Sequence, residues 1–261
     1  MDVVQKPTPT RLLERVTPGP RAGFRLALAA VLLVTGACAT TKAPSIDLFG
    51  SPSGGALADL SAFTNGGQPA SWTLLEDGVV EVRPGAGNLV SKETFGDARF
   101  ALEFWCPSMP RELGIDRGNS GVYVQGRYEV QVLDSFDMPI ALNSCGAIYQ
   151  ISAPAVNASQ PPETWQTYVI EFRAARFDEG GAVTENPRMS VWLNGVYIQD
   201  DVELPAPTPG GLGSDTVARG PLMLQAHSHL VRYRNLSVTP QNVPKAESRV
   251  GFSFGAGILI D

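Results

Sequence analysis

The 261-residue chain is 43% hydrophobic with a formal charge of −6, enough apolar content for one fully buried core. Beyond residue 37 it holds 24 acids against 15 bases, about −9, which excludes the basic stripe a nucleic-acid backbone requires. Its 27 Gly and 21 Pro are scattered without a repeat, the punctuation of many short strands rather than a few long helices.

The first 37 residues have the form of an export signal. Arg11, Arg15, Arg21 and Arg25 precede an apolar run over 26–34 that ends in Thr35-Gly36-Ala37-Cys38. The run is of signal-peptide length and too short to span a bilayer comfortably. Cys38 follows a small pair in the manner of a lipidated cysteine, with cleavage after Ala39 as the competing outcome. Either predicts a periplasmic or cell-envelope protein, held at the membrane only by an N-terminal lipid if Cys38 is acylated. Residues 38–45 then serve as a short tether.

From residue 46 the chain alternates strand-like runs with turn signals: 72–75, 79–83, 100–104, 121–124, 128–133 and 147–150, then 168–173, 189–193, 196–199, 222–226 and 231–238. No window in this part has a sustained 3.6-residue apolar period, so the fold expected is an all-β sandwich or barrel over 46–240. Asn194-Gly195 marks a hairpin, because a type I′ turn needs positive φ at both central residues. The breaker-rich stretches 152–164 and 205–220 are long loops, either plain connections or the rim of a site. Residues 241–261 form a C-terminal extension, a last strand or a tail. Cys106 and Cys145 are permitted a disulfide in an oxidising compartment, or are two buried small hydrophobes. Neither has metal-ligand spacing to another Cys or His.

Alternation splits several strands into an apolar and a polar face. In the run 128–134, Val130 and Val132 oppose Glu129 and Gln131. In 222–227, Met223, Gln225 and His227 share one side, and in 231–235 Arg232 and Arg234 do. Tyr123 opposes Val122 and Val124. A merely solvated face is the ordinary explanation of each. Together with Asn119, however, this set of amides, acid, tyrosine, histidine and arginine is suited to hydroxyl-rich ligands, which points to a carbohydrate groove. His227 and His229 are the only histidines, so they alone titrate near neutrality without perturbation. Asp134 fits an acid, a turn cap or a hydrogen-bond partner. There is no Gly-x-Ser-x-Gly elbow, P-loop or His-Glu-x-x-His motif, and the Glu129 face offers one acid where a two-carboxylate glycosidase needs a pair.

In order, Asp47-Leu48-Phe49-Gly50, Phe95-Gly96-Asp97, Asn119-Ser120-Gly121-Val122-Tyr123, Tyr128-Glu129-Val130-Gln131-Val132-Leu133-Asp134, Cys145-Gly146-Ala147-Ile148-Tyr149, Leu224-Gln225-Ala226-His227 and Arg232-Tyr233-Arg234-Asn235 resemble the 3-keto-disaccharide hydrolase family. The resemblance departs from the family pattern at 51–68 and after Pro240. It implies a concanavalin A-like jelly-roll sandwich of two antiparallel sheets and cleavage of glycosides oxidised at C3, by hydrolysis or by C1–C2 elimination and hydration. On that basis Glu129 and His227 are expected to be the catalytic acid–base pair, with Asn119, Tyr123, Gln131, Gln225 and Arg232 binding substrate. A divalent metal held by Glu129 and His227 is the variant mechanism, and a non-catalytic carbohydrate-binding module is the competing class.

Overall fold

The computed structural model describes residues 44–50 and 57–241. The expected signal segment, Cys38, most of the tether and all but Gln241 of the C-terminal extension lie outside the described residues. Sixteen strands are described: β1 (Ile46–Asp47), β2 (Phe63–Asn65), β3 (Gln68–Pro69), β4 (Thr73–Leu74), β5 (Val80–Glu81), β6 (Leu89–Phe95), β7 (Ala98–Trp105), β8 (Ser120–Val124), β9 (Tyr128–Val132), β10 (Gln166–Arg173), β11 (Arg176–Phe177), β12 (Val183–Glu185), β13 (Arg188–Leu193), β14 (Val196–Glu203), β15 (Gly220–Leu224) and β16 (Arg232–Pro240). They make an all-β jelly-roll sandwich. One antiparallel sheet runs β14-β13-β10-β7-β16-β5-β4, with β1 beside β16, and the other runs β3-β2-β6-β15-β8-β9.

Alternation explains the layering. In β7, Ala98, Phe100, Leu102 and Phe104 are buried while Arg99, Ala101, Glu103 and Trp105 face outward. β10 and β13 repeat that pattern, and the inward rows meet Val122, Val124, Tyr128, Val130 and Val132 of the other sheet in one core. Burying a side chain of this size contributes about 1.5–3 kcal/mol. Two buried phenols tie the sheets together and anchor the strands that carry the site. Tyr168 on β10 donates to the Gln131 carbonyl on β9 at 2.7 Å, and Tyr233 on β16 donates to Ser120 Oγ on β8 at 2.7 Å.

The Asn194-Gly195 hairpin forms between β13 and β14, with φ of 53° and 79°. β6 was not among the expected strands, because Lys92, Glu93 and Thr94 are all exposed and break its alternation. The expected strand over 147–150 is instead a loop pinned by isolated bridges of Ile148 to Val130 and to Ser152. Cys106 and Cys145 are free, buried thiols, and Cys145 Sγ lies 3.1 Å from the Tyr168 hydroxyl.

Candidate functional site

The site lies on the face of the six-stranded sheet turned away from the core. Register aligns its residues in rows: Met223 of β15 beside Tyr123 of β8, and Tyr123 beside Glu129 of β9. Tyr149 extends this row, since its N–H donates to the Glu129 carbonyl at 3.0 Å. In the next row Gly121 pairs with Gln131, and the N–H of Gln225 donates to the Gly121 carbonyl at 2.9 Å. The β8–β9 turn, with Gln125 and Gly126 at φ of 54° and 64°, sets Tyr123 opposite Glu129.

Glu129 is the centre of this cluster and is only 3% exposed. Its Oε2 accepts the Tyr123 hydroxyl at 2.7 Å. With its amide nitrogen turned toward its two acceptors, Gln131 donates to the Ser120 carbonyl at 2.9 Å and to Glu129 Oε1 at 3.1 Å. Gly121 is required beneath the carboxylate, because a Cβ there would lie 2.3 Å from Oε1. Burial pushes the Glu129 carboxyl up to about 7, against the opposing pull of the Tyr123 bond. Burial and the adjoining Glu129 charge hold the Tyr123 phenol well above its ordinary range. A carboxyl poised near neutrality and bonded to a phenol that stays protonated is a proton acceptor joined to a relay.

The loop between β14 and β15 covers this pair. Thr208 donates to the Arg127 carbonyl through its N–H (2.8 Å) and its hydroxyl (2.9 Å), and accepts the Glu129 N–H at 3.0 Å. The Pro209 carbonyl lies 2.9 Å from the Tyr123 hydroxyl, and Gln225 Nε2 lies 3.3 Å from it. The loop is therefore a wall of the site, joined to it through the Thr208 hydroxyl and the Pro209 carbonyl.

Of the residues expected in the site, Glu129, Tyr123, Gln131 and Gln225 come together. His227 follows two residues after Gln225, beyond the end of β15. Its ring stacks on His229 at 5.2 Å, Ser228 Oγ lies 3.2 Å from its Nδ1, and no described hydrogen bond joins it to Glu129. Asn119 is buried near the same end, and its N–H donates to Nδ1 of His229 at 2.9 Å. Burial, then the neighbouring His227, lowers the His229 pKa.

Arg232 corrects the expectation drawn for it. It lies on the outer face of the opposite sheet, paired with Glu81 at 2.7 Å and stacked 4.3 Å over Trp105, while its neighbour Tyr233 takes the inward position. Asp134 is also structural: it pairs with Arg117 at 2.6 Å and accepts the Phe136 N–H. Tyr149 and the Pro209 carbonyl were missed from sequence. The aromatic at 149, in step with the polar parity of its run, was the available signal for the first; for the second the breaker-rich stretch 205–220 marked the loop, and nothing in the sequence marked the carbonyl itself.

Among the described residues no group of three or more His, Cys, Asp or Glu could hold a metal. Glu129 and His227 therefore lack, among the described residues, the third such ligand of a protein-held divalent centre.

Residues 46–239 match the model of a 3-keto-alpha-glucoside-1,2-lyase-like domain. Among solved structures, one from Parabacteroides distasonis ATCC 8503, described as a candidate glycosyl hydrolase, is 33% identical over 76% of this chain and 84% of its own, with a TM-score of 0.67. Another so described from that organism, at 18% identity over 76% and 100% with a TM-score of 0.52, shares the fold. No curated protein matches. On the match over residues 46–239, this chain belongs to the 3-keto-disaccharide hydrolase family, the 3-keto-alpha-glucoside-1,2-lyase-like domains.

Proposed function

We propose that the protein cleaves glycosides whose sugar carries a ketone at C3, by elimination across C1 and C2 followed by hydration. The observation that carries this reading is the Glu129 carboxyl, buried, raised to about 7 and bonded to Tyr123 over the space left by Gly121. The family's description and the relatives' description as candidate glycosyl hydrolases support it.

A ketone at C3 acidifies the C2 hydrogen. Glu129, ionised, takes that proton; the C2–H electron pair forms C1=C2 as the C1–O bond breaks. The leaving oxygen takes the Tyr123 hydroxyl proton while Glu129 returns the abstracted proton to Tyr123, so no free phenolate forms and the pair ends as it began. Water then adds across C1=C2, and the net reaction is hydrolysis. The acid role falls to Tyr123 rather than His227 because Tyr123 is the group bonded to Glu129. Gln131, with both amide hydrogens committed to Ser120 and Glu129, orients the carboxylate, and Gln225 offers its second amide hydrogen to the developing oxyanion. Asn119 and His227 bind sugar hydroxyls at the far end of the row.

Incubation with a 3-keto-glucoside and its unoxidised parent tests this, by following release of the aglycone. Turnover of the oxidised compound alone is expected. Saturable sugar binding without release from either would overturn the enzyme reading in favour of a binding module, and release from the parent would indicate an ordinary glycosidase. We also place the protein in the cell envelope, on the arginine-rich start, the apolar run and Cys38. Labelling with a radioactive fatty acid, lost in Cys38→Ser, tests the anchor.

A further inference from the structure

The loop that walls the site also encloses a separate space. Residues 206–214 fold into a shallow, open cup of about 540 Å³. The cup is held in place from below: the Leu212 N–H donates to the Gly126 carbonyl at 2.7 Å, Arg127 bonds Asp215 through the backbone carbonyl (2.6 Å) and the carboxylate (2.7 Å), and Thr208 is fixed at Arg127 and Glu129. It is a pre-formed feature, and it adjoins the proton-transfer pair. Pro209 and Gly210 line it, the Pro209 carbonyl meets the Tyr123 hydroxyl, and a Cβ on Gly210, which has φ +80°, would lie 2.7 Å from that hydroxyl.

Its chemistry differs from that of the sheet face. Pro207, Pro209 and Leu212 supply the larger side chains of the lining, and Leu212 is half exposed. No charged or amide side chain lines the cup, and the Thr208 hydroxyl has already both donated and accepted. Ser214 is the one other side-chain hydroxyl of the lining. A second sugar entering here would shed water from several hydroxyls and find few side-chain partners, so that only exposed backbone groups of the loop could replace that water. An apolar group would gain by leaving water and meeting proline and leucine carbon.

We propose that this cup is the subsite for the leaving group, and that it selects an apolar alkyl or aryl aglycone over a second sugar. The proposal rests on the 3-keto-glycoside reading of the site, because it places the C1 substituent beside Tyr123, the group that protonates it.

The test compares 3-keto glucosides of methanol and of cyclohexanol, alcohols of similar acidity, so that leaving-group chemistry is matched and contact area is not. The wild type is expected to show kcat/KM about tenfold higher for the cyclohexyl compound, the scale of added apolar contact in a pocket. Leu212→Asp is expected to cut that ratio at least about fivefold. Equal kcat/KM for the two compounds, or a ratio unchanged in Leu212→Asp, overturns the cup. Calorimetric binding of the same pair separates this from failure of the enzyme reading. Tighter cyclohexyl binding that Leu212→Asp abolishes supports the cup even without turnover, whereas turnover without any cyclohexyl preference refutes the cup and leaves the enzyme reading intact.

Discussion

The Tyr123 hydroxyl stands 2.7 Å from Oε2 of Glu129 and 2.9 Å from the Pro209 carbonyl, one proton facing two acceptors. With Glu129 ionised the proton goes to the carboxylate, the stronger acceptor. With Glu129 protonated, the carboxyl donates to the phenol oxygen and frees the phenol's own proton for Pro209. The ionisation of Glu129 thus sets the direction of both bonds.

If ionised Glu129 is the base, kcat/KM rises with pH through about 7 and levels above it. At pH 5 only about one molecule in a hundred carries the ionised form, so activity should be about a hundredfold below its plateau. Glu129→Gln should lie about 10²–10⁴-fold lower with no rise near 7. A wild-type profile that is flat from pH 5 to 8 would remove Glu129 from the base role.

The same carboxyl has a stability signature. Its folded pKa of about 7 is raised from 4.5, so the unfolded chain ionises first. The stability linked to its proton is complete below about pH 4.5 and is lost as pH rises through 7. The loss is on the order of 3 kcal/mol by pH 8, and Glu129→Gln should not show it. Urea unfolding of both proteins at pH 4.5 and 8 checks this; parallel changes in the two would contradict it.

Tyr123→Phe removes a bond that favours the ionised carboxylate. The midpoint of the pH–rate profile should move up from about 7, by roughly one unit, and kcat should fall with it. A fall in kcat at an unmoved midpoint would mean that Tyr123 acts apart from Glu129.

Gly121→Ala places a Cβ 2.3 Å from Glu129 Oε1, so the carboxylate must shift. A displacement of about 1 Å typically costs about a hundredfold, and kcat should fall on that order with far-ultraviolet circular dichroism unchanged. Full activity in this variant would show that the observed position of Oε1 is not needed.

Arg232→Ala tests the separation of the two sheet faces. Its pair with Glu81 and its stacking on Trp105 are partly exposed, so stability should fall by about 1 kcal/mol or less. Turnover should stay within about twofold of the wild type, and a tenfold rise in KM would return Arg232 to the site.

Much of the fold and part of the site were legible from local pattern. Alternation in 100–104 and 168–173 announced β7 and β10, and Asn194-Gly195 announced its hairpin, because pleat and turn chemistry depend only on neighbours along the chain. The same parity placed Glu129 and Gln131 on one side of a strand, and Met223 and Gln225 on one side of another. Parity could not say which sheet a strand joins. Arg232 alternates as cleanly as Glu129 does, yet Tyr233 faces the core and sends Arg232 to the opposite outer surface.

The sequence by itself determined an all-β chain with its turns, its polar strand faces and its family membership, since these rest on short-range alternation and on an ordered set of motifs. The tertiary structure alone decided that β15 lies beside β8, that the 206–214 loop closes over Tyr123, and that Glu129 is stripped of water until its carboxyl titrates near 7. Desolvation is a sum over every group that surrounds a charge, and those groups come from segments far apart in the chain, which only the folded packing brings together.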